Sequence, residues 1–310
     1  MFGYFFKFIG FIFSFFSLVF VTVTVLLYSL FVYYSKDLPS IKEIEDYNPP
    51  TLSRIYNADS VLIDVFAKEK RIYTPISEIP KLLKQGFISA EDKNFYAHKG
   101  YDLISLMKAL IDAMRGKKLR GASTITQQVM KNFLLSGERT TERKIKEIIL
   151  ASRIEKVLTK DQILSVYLNE IYLGQGAYGV TAASLIYFNK KLHELSISEI
   201  AFLSSLPKAP SFYHPIRQKE KVTQRRDFVI KEMMENGFIT DEKAQQAKKL
   251  NLLTSLDDPE EMTFNESLSR SYFTDEIRRQ VSNRYGKSLL FNDGLTIKAT
   301  LVPQLQQAAV

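Results

Sequence analysis

Hydrophobic positions follow two regimes along the chain. From Phe8 through Ser35 the run FIGFIFSFFSLVFVTVTVLLYSLFVYYS carries no charge. As an α-helix, roughly 28 residues reach about 42 Å, against a hydrocarbon core of ~30 Å, which predicts a tilted transmembrane helix over 8–35. A cleaved signal peptide is the alternative, but its apolar region is shorter and ends in small residues, whereas Tyr33 and Tyr34 stand here as interfacial anchors. Orientation is weakly encoded: Lys7 and the N-terminal amine lie on one side, and Lys36, Asp37 and Lys42 on the other.

After this run the pattern shortens. A polar, proline-bearing spacer, DLPSIKEIEDYNPP, leads into TLSRIYNADSVLIDVFAKEKRIYTP, whose alternation around Asn57-Ala58-Asp59-Ser60 predicts a small β-hairpin. From Pro80 the period becomes helical. Leu82, Leu83, Phe87 and Ile88 recur at helix spacing, and that helix should end near Glu91. A second helix follows Ser123 or Thr124 as N-cap, with Ile125, Val129 and Phe133 as its apolar stripe. A third covers TTERKIKEII, with Ile145, Ile148 and Ile149 inward and Arg143, Lys144 and Glu147 on other faces. A Thr159–Gln162 capping box starts a fourth, carrying Ile163, Tyr167 and Ile171 and stopped by Gly174, and a Ser196–Glu199 box starts a fifth, ended by Pro207 and Pro210.

Composition narrows the chemistry. The 310 residues, 45% hydrophobic and 25% charged, suffice for a real core. A net charge of +8 favours anionic partners without choosing among them. Cysteine is absent and only His98, His193 and His214 are present, which excludes disulfides and thiolate metal sites and argues against a histidine-rich zinc site. Gly174, Gly176 and Gly179 permit a tight loop, but with the wrong spacing for a P-loop or a dinucleotide fingerprint.

The acids Glu91 and Asp92 attract attention because a carboxylate at a helix C-terminus meets the negative potential of exposed carbonyls, and a neighbour such as Phe95 would desolvate it further. Both effects raise a pKa, which suits a general base. An acid pair capping the next turn is the simpler reading of the same residues. Gln127, Gln128 and Lys131 offer amides and an ammonium to sugar hydroxyls or phosphate oxygens, unless that face is merely solvated. Arg143 and Glu147 can pair at i, i+4 as any surface pair does.

Taken in order, E-D-x-x-F-x-x-H-x-G (Glu91 to Gly100), G-x-S-T-x-x-Q-Q-x-x-K-N (Gly121 to Asn132), R-K-x-x-E (Arg143 to Glu147) and I-L-x-x-Y-L-N-x-x-Y-x-G-x-G-A-Y-G (Ile163 to Gly179) resemble the peptidoglycan glycosyltransferase domain of class A penicillin-binding proteins. The resemblance covers roughly residues 50 to 250, with Asn189 standing where the family commonly has glycine. It implies a mainly α, lysozyme-like domain with one N-terminal transmembrane helix and a small hairpin ahead of it. The implied organisation is a cytoplasmic N-terminus (1–7), the transmembrane helix (8–35), a spacer (36–48), the glycosyltransferase domain (49–250), and a linker (251–310) leading toward a transpeptidase domain that the chain lacks.

The resemblance further implies polymerisation of lipid II into β-1,4-linked glycan strands at the outer face of the bacterial cytoplasmic membrane. The donor's lipid diphosphate leaves as a stable anion, so such a site needs cations more than a general acid. Lys131, Arg143 and Lys144 are the candidates. The acceptor hydroxyl needs a base, for which Glu91 is the choice, in a single inverting displacement. Glu147 would organise the cationic side, directly or through a divalent cation, Mg or Mn; no organic cofactor is implied. Asp92 and His98 would hold the loop carrying Glu91, while Thr124, Gln128 and Asn169 would position substrate or neighbouring side chains.

The expected partners are lipid II, the growing lipid-linked strand, membrane lipids and other cell-wall synthesis proteins, and not nucleic acid. Leu110, Ile111 and Met114 beside Arg115, Lys117, Lys118 and Arg120 fit a segment dipping into lipid head groups, or a solvated basic loop. Ser105-Leu106-Met107-Lys108 and Ser205-Leu206-Pro207-Lys208 match the nucleophile pattern of penicillin-binding enzymes, yet no Lys-Thr-Gly accompanies them. Both are read as accidents, and the chain as a truncated form without penicillin reactivity. A lysozyme-like hydrolase and a non-catalytic lipid II or cell-wall binding scaffold are the rival readings. The cationic cluster argues against the hydrolase, and no motif carboxylate is missing, as the scaffold would require.

Overall fold

The computed structural model describes residues 2–35, 38, 53–60, 62–66, 70–116, 123–134, 141–257, 272–286, 289–290 and 295–302. The first helix, α1 (Phe2–Ser35), begins earlier than the uncharged run and takes in Lys7. Its span Gly10–Ser35 has a mean hydropathy of 2.4, none of it is buried in the protein, and at 1.5 Å per residue it is long enough to cross a membrane. The hydroxyls of Thr22 and Thr24 donate back to the carbonyls of Leu18 and Phe20, at 2.9 and 2.8 Å, so they add no unpaired polar group to the apolar surface.

The predicted hairpin forms from β1 (Ser53–Tyr56) and β2 (Leu62–Phe66), antiparallel, closed by a turn in which Ser60 N donates to Asn57 O at 3.1 Å. The sequence does not disclose its third strand. The strand β5 (Thr296–Lys298), distant in the chain, pairs in parallel with β1, matching Arg54 to Thr296 and Tyr56 to Lys298. Ser53 fastens the two ends together: its hydroxyl donates to Leu290 O at 2.5 Å and accepts from Leu295 N at 2.9 Å. Ile55, Leu290 and Ala299 form a small core there, with Phe273, Ile277 and Val281 of a helix at Tyr272–Tyr285 packed against it. The stretch read as linker therefore folds onto the hairpin.

The main core is helical, in agreement with the expected class. In chain order it contains β3 (Lys70–Arg71), α2 (Lys81–Glu91), α3 (Leu103–Met114), α4 (Ile125–Leu134), α5 (Thr141–Ile154), α6 (Lys160–Glu170), β4 (Ala177–Tyr178), α7 (Val180–Phe188), α8 (Ile197–Ser205), α9 (Lys219–Glu235) and α10 (Asp241–Lys249). Leu83, Phe87 and Ile88 bury the inner face of α2 against α8 and α9. The approach is close enough that a Cβ on Gly86 would lie 2.7 Å from Ser204 Oγ. The two capping boxes, at Thr159 and Ser196, form as the spacing predicts. Asn189 ends α7 at φ 51, a left-handed conformation that asparagine tolerates better than most residues, which accounts for its standing in a glycine position.

Buried charges lock the rim of this core. The guanidinium of Arg226 donates to the carbonyls of Leu250 (2.7 Å) and Lys248 (3.1 Å) and to Ser198 Oγ (3.2 Å), which caps the C-terminal end of α10 and ties it to α8. Arg71 pairs with Glu170 and stacks on Tyr178, 5.3 Å from the ring centre, where β3 meets β4. Finally, α1 leaves its apolar span directly onto α5, where Arg153 Nη2 donates to the terminal carbonyl of Ser35 at 3.4 Å.

Candidate active site

Helix α2 stops at Glu91 because Asp92 turns out of helical geometry while its N–H still reaches Ile88 O. The adjacent acids then diverge. Asp92 is buried at 7% exposure and accepts from His98 Nε2 at 2.9 and 3.0 Å and from the N–H of Ile125 at 2.9 Å. Ile125 opens α4, so this carboxylate sits where the helix dipole favours negative charge. His98 Nδ1 accepts from Gly100 N at 3.2 Å, which places the imidazole proton on Nε2, facing Asp92. Thr124 completes the clasp: its hydroxyl donates to Gly100 O at 2.8 Å and accepts from Gln127 N at 3.2 Å, making it the N-cap of α4. Gly100, at φ +89, is pressed onto α5, where a Cβ would stand 2.6 Å from Ala151 O.

Glu91 faces the other way, half-buried, and accepts from Gln128 Nε2 at 2.8 Å. Burial pushes its carboxyl above the usual carboxylate range, against the pull of the Gln128 amide, Arg225 and Lys208, with Asp92 adding to the rise. Lys208 lies in a single 3-10 turn after α8, and Arg225 on α9. Partial burial and Arg225 hold the Lys208 ammonium below its ordinary value, with Glu91 opposing them. These two cations act on the Glu91 carboxyl, a pairing that the sequence reading passed over. The signal was present in the KAPSFYHP segment and the following Arg pair, but only folding brings them to Glu91.

Glu147 occupies the other side of α4. It was placed on an outer face of its helix, yet it is more deeply buried than Ile145 or Ile148. Its carboxylate is held by Arg143 Nε at 3.2 Å and Lys144 Nζ at 2.9 Å. Lys144 also donates to Ser123 Oγ (2.8 Å) and to Gln127 Oε1 (3.0 Å). Consecutive glutamines on α4 therefore serve opposite groups: Gln128 donates to Glu91, and Gln127 accepts from Lys144, the cation paired with Glu147. The face of α4 read as potentially solvated is instead packed, and Lys131 lies exposed one turn further along it.

The remaining expected residues brace the site. Phe95 is fully buried in the core, edge-on to His98 and Tyr96, with Lys160 Nζ 4.5 Å above its ring. Asn169 exchanges hydrogen bonds with the backbone of Thr74, at 2.7 and 3.0 Å, and donates to Ser165 O at 2.8 Å, so its amide spans α6 and the segment after β3. Ser105 donates to Asp102 (2.6 Å) and Ser205 to Phe202 O (2.7 Å), so both pattern serines are engaged locally. Among the described residues, no group of three His, Asp or Glu side chains gathers as a metal cage. Glu147 offers one carboxylate already bound by two cations, a poor fit to a resident Mg or Mn ion.

Helix α3 exposes Leu103, Ile104, Leu106, Met107, Ile111 and Met114, a large apolar surface for one short helix. The expected apolar and basic segment thus begins earlier, at Leu103. The Leu110 side chain, Lys117, Lys118 and Arg120 fall outside the described residues.

Comparison with known proteins gives a consistent result. Residues 59–234, more than half of the chain, match the transglycosylase family model. Penicillin-binding protein 1A of Rickettsia bellii is 43% identical over 282 residues, covering 89% of this chain and 35% of the relative. That of Escherichia coli K12 is 39% identical, covering 91% and 33%, and that of Aquifex aeolicus 40% identical, covering 88% and 37%. The chain thus spans about a third of the length of the relatives it matches. The crystal structure of penicillin-binding protein 1A from Haemophilus influenzae aligns over 85% of this chain and 28% of that one, at a TM-score of 0.48 and 24% identity.

Proposed function

Because the chain belongs to the transglycosylase family, we propose that it is a membrane-anchored peptidoglycan glycosyltransferase that polymerises lipid II. The reaction joins an acceptor sugar hydroxyl to C1 of a lipid-linked donor. The O–H proton passes to Glu91, the new C1–O bond forms on the face opposite the leaving group, and the C1–O bond to the lipid diphosphate breaks. An α-linked donor then gives a β-1,4 linkage. One arrangement carries this reading: a half-buried, basic carboxylate joined through Gln128 and Gln127 of α4 to the Lys144–Glu147–Arg143 cluster.

Each part has a physical role. Desolvation makes Glu91 a better base than a free carboxylate, while Gln128, Arg225 and Lys208 favour its ionised form. Lys144, Arg143 and Lys131 receive the negative charge that develops on the departing diphosphate, with Glu147 fixing the directions of the first two. Asp92, His98 and Thr124 hold the loop and the start of α4, so that Glu91 and both glutamines keep their spacing.

The proposed setting is the bacterial cytoplasmic membrane, with α1 crossing once and the catalytic domain on the outer side. The apolar face of α3, with Lys108 and Arg115 beside it, would rest in the head-group region, where the lipid-linked substrate resides. The test is incubation of the detergent-solubilised chain with labelled lipid II, wild type beside Glu91→Gln. Polymer is expected from the first and essentially none from the second, with folding unchanged. Equal polymer from both would remove Glu91 from its role.

A further inference from the structure

Behind the Glu91–Gln128 contact stands a third residue. Tyr167 on α6 is 1% exposed, and its hydroxyl lies 3.4 Å from Gln128 Oε1, while Gln128 Nε2 lies 2.8 Å from Glu91 Oε2. A primary amide has a donor end and an acceptor end, and while an ionised carboxylate takes only the donor end, a protonated one can take either, so the amide can turn and favour the neutral acid. A phenol hydroxyl donating to Oε1 decides it. We propose that Tyr167 is a positioning residue that orients the Gln128 amide toward Glu91 and so keeps the base ionised and correctly aimed. This rests on the reading of Glu91 as general base.

The surroundings favour this direction of bonding. Tyr167 is held in its protonated form, burial first and then the charges of Glu91 and Asp92 driving its pKa well above the ordinary phenol value, so it remains a donor throughout the working range. Its ring is fixed edge-on to Phe87, 6.2 Å between centres, which aims the hydroxyl across to α4. The groups acting on Glu91 come from several elements: Gln128 on α4, Arg225 on α9, Lys208 on the turn after α8, and Asp92 beside it on the chain. Three of these lower its pKa. Gln128 acts at hydrogen-bond distance, and a neutral amide does so only in the orientation that Tyr167 enforces. The 3.4 Å separation is long for a hydroxyl donor, so the effect should be moderate.

The experiment uses the full chain in detergent. The pH dependence of kcat/KM with labelled lipid II is measured beside the titration of the Glu91 carboxyl by carbon-13 NMR, assigned by its loss in Glu91→Gln. Tyr167→Phe should move both the acidic limb and the carboxyl midpoint upward by about half a unit to one unit. The alkaline plateau should stay within about threefold of wild type, because raising the pH restores the ionised base. Replacing Tyr167 by 3-fluorotyrosine, a stronger donor of almost unchanged shape, should move both downward. In a Gln128→Leu background, Tyr167→Phe should add no further shift.

Unchanged midpoints in the Tyr167 variants would overturn the proposal. So would a rate loss equal at every pH, which is the mark of packing alone, or an undiminished shift without Gln128. If Glu91→Gln polymerises normally, the reading of Glu91 as base fails instead, and the NMR titration still decides what Tyr167 does to that carboxyl.

Discussion

Asp92→Asn offers a test of the site's architecture that the geometry makes severe. The carboxylate accepts from the His98 Nε2–H and from the Ile125 N–H at once. Both donors reach Oδ2, and His98 Nε2 also stands 3.0 Å from Oδ1, so an asparagine oxygen in the Oδ2 place could still accept from both, but only with its amino group in the Oδ1 place. If Oδ1 turns to Ile125, its amino group confronts the Nε2–H of His98. Shifting the proton to Nδ1 would relieve that clash only by breaking the bond from Gly100 N. Either way a buried N–H is left facing another donor at about 1–3 kcal/mol, and loss of charge at the start of α4 removes a further 0.3–1 kcal/mol or so. The expected destabilisation is therefore about 2–4 kcal/mol, measured by denaturant unfolding in detergent and accompanied by faster amide exchange at residues 98–100 and 124–128. Because the start of α4 carries Gln127 and Gln128, polymerisation should fall more than tenfold while the protein is still folded. His98→Gln should cost less alone and add little to Asp92→Asn, since both break one network. A variant within about 0.5 kcal/mol of wild type, or fully additive effects, would refute the clasp.

Further outcomes follow from the same contacts. Glu91 has a raised pKa in the folded chain, so its protonated form contributes stability below the ordinary value of 4.5, and that contribution is lost as pH rises through the elevated value. Glu91→Gln should therefore unfold at a higher temperature than wild type at pH 7 while losing activity, and a lower midpoint would contradict the desolvation of this carboxyl. Lys144→Met should leave Glu147 with Arg143 alone and reduce kcat by one to three orders of magnitude, as expected for losing a cation at a developing anion; a change confined to KM would assign Lys144 to ground-state binding. A nitroxide at Met114 should be shielded from an aqueous quencher once the chain is in lipid vesicles, and full exposure would remove α3 from the membrane surface. Ser53→Ala should loosen the small sheet by about 1–3 kcal/mol, read as faster exchange at residues 295–299 with the helical core unchanged.

What the sequence discloses here is whatever one helix or one turn determines by itself. The end of α2 at Glu91, the Arg143–Glu147 pairing, both capping boxes and the hairpin turn at Asn57–Ser60 depend on neighbours within a few residues, and all stand as read. Contacts between helices are a different matter. Nothing local indicates that Gln128 reaches Glu91 while Gln127 reaches Lys144, because that depends on how α4 is rolled between its neighbours. Glu147 looked exterior because a charged residue between isoleucines usually is, and its burial becomes sensible only with Arg143 and Lys144 both closing on it. The approach of Lys208 and Arg225 to Glu91 was hidden for the same reason, as was β5, a strand of three residues whose place is set by parallel register and the Ser53 hydroxyl.

The two adjacent acids answer to a single mechanical need. A general base must be poorly solvated to be strong, and a poorly solvated carboxylate is a local source of instability that tends to relax by moving. Glu91 ends its helix, where movement is easiest. Asp92, one residue on, is held by a histidine and a helix N-terminus, and the same contacts set the start of the helix whose Gln128 grips Glu91. The second acid thus fixes the first twice, through the chain and through α4. Exchanging the order of the pair would place the tightly held side chain where the proton must be taken and leave the anchor unsatisfied. Glu91→Asp together with Asp92→Glu should therefore be less active than Glu91→Asp alone, and a swap that restores activity would show that the clasp tolerates either length.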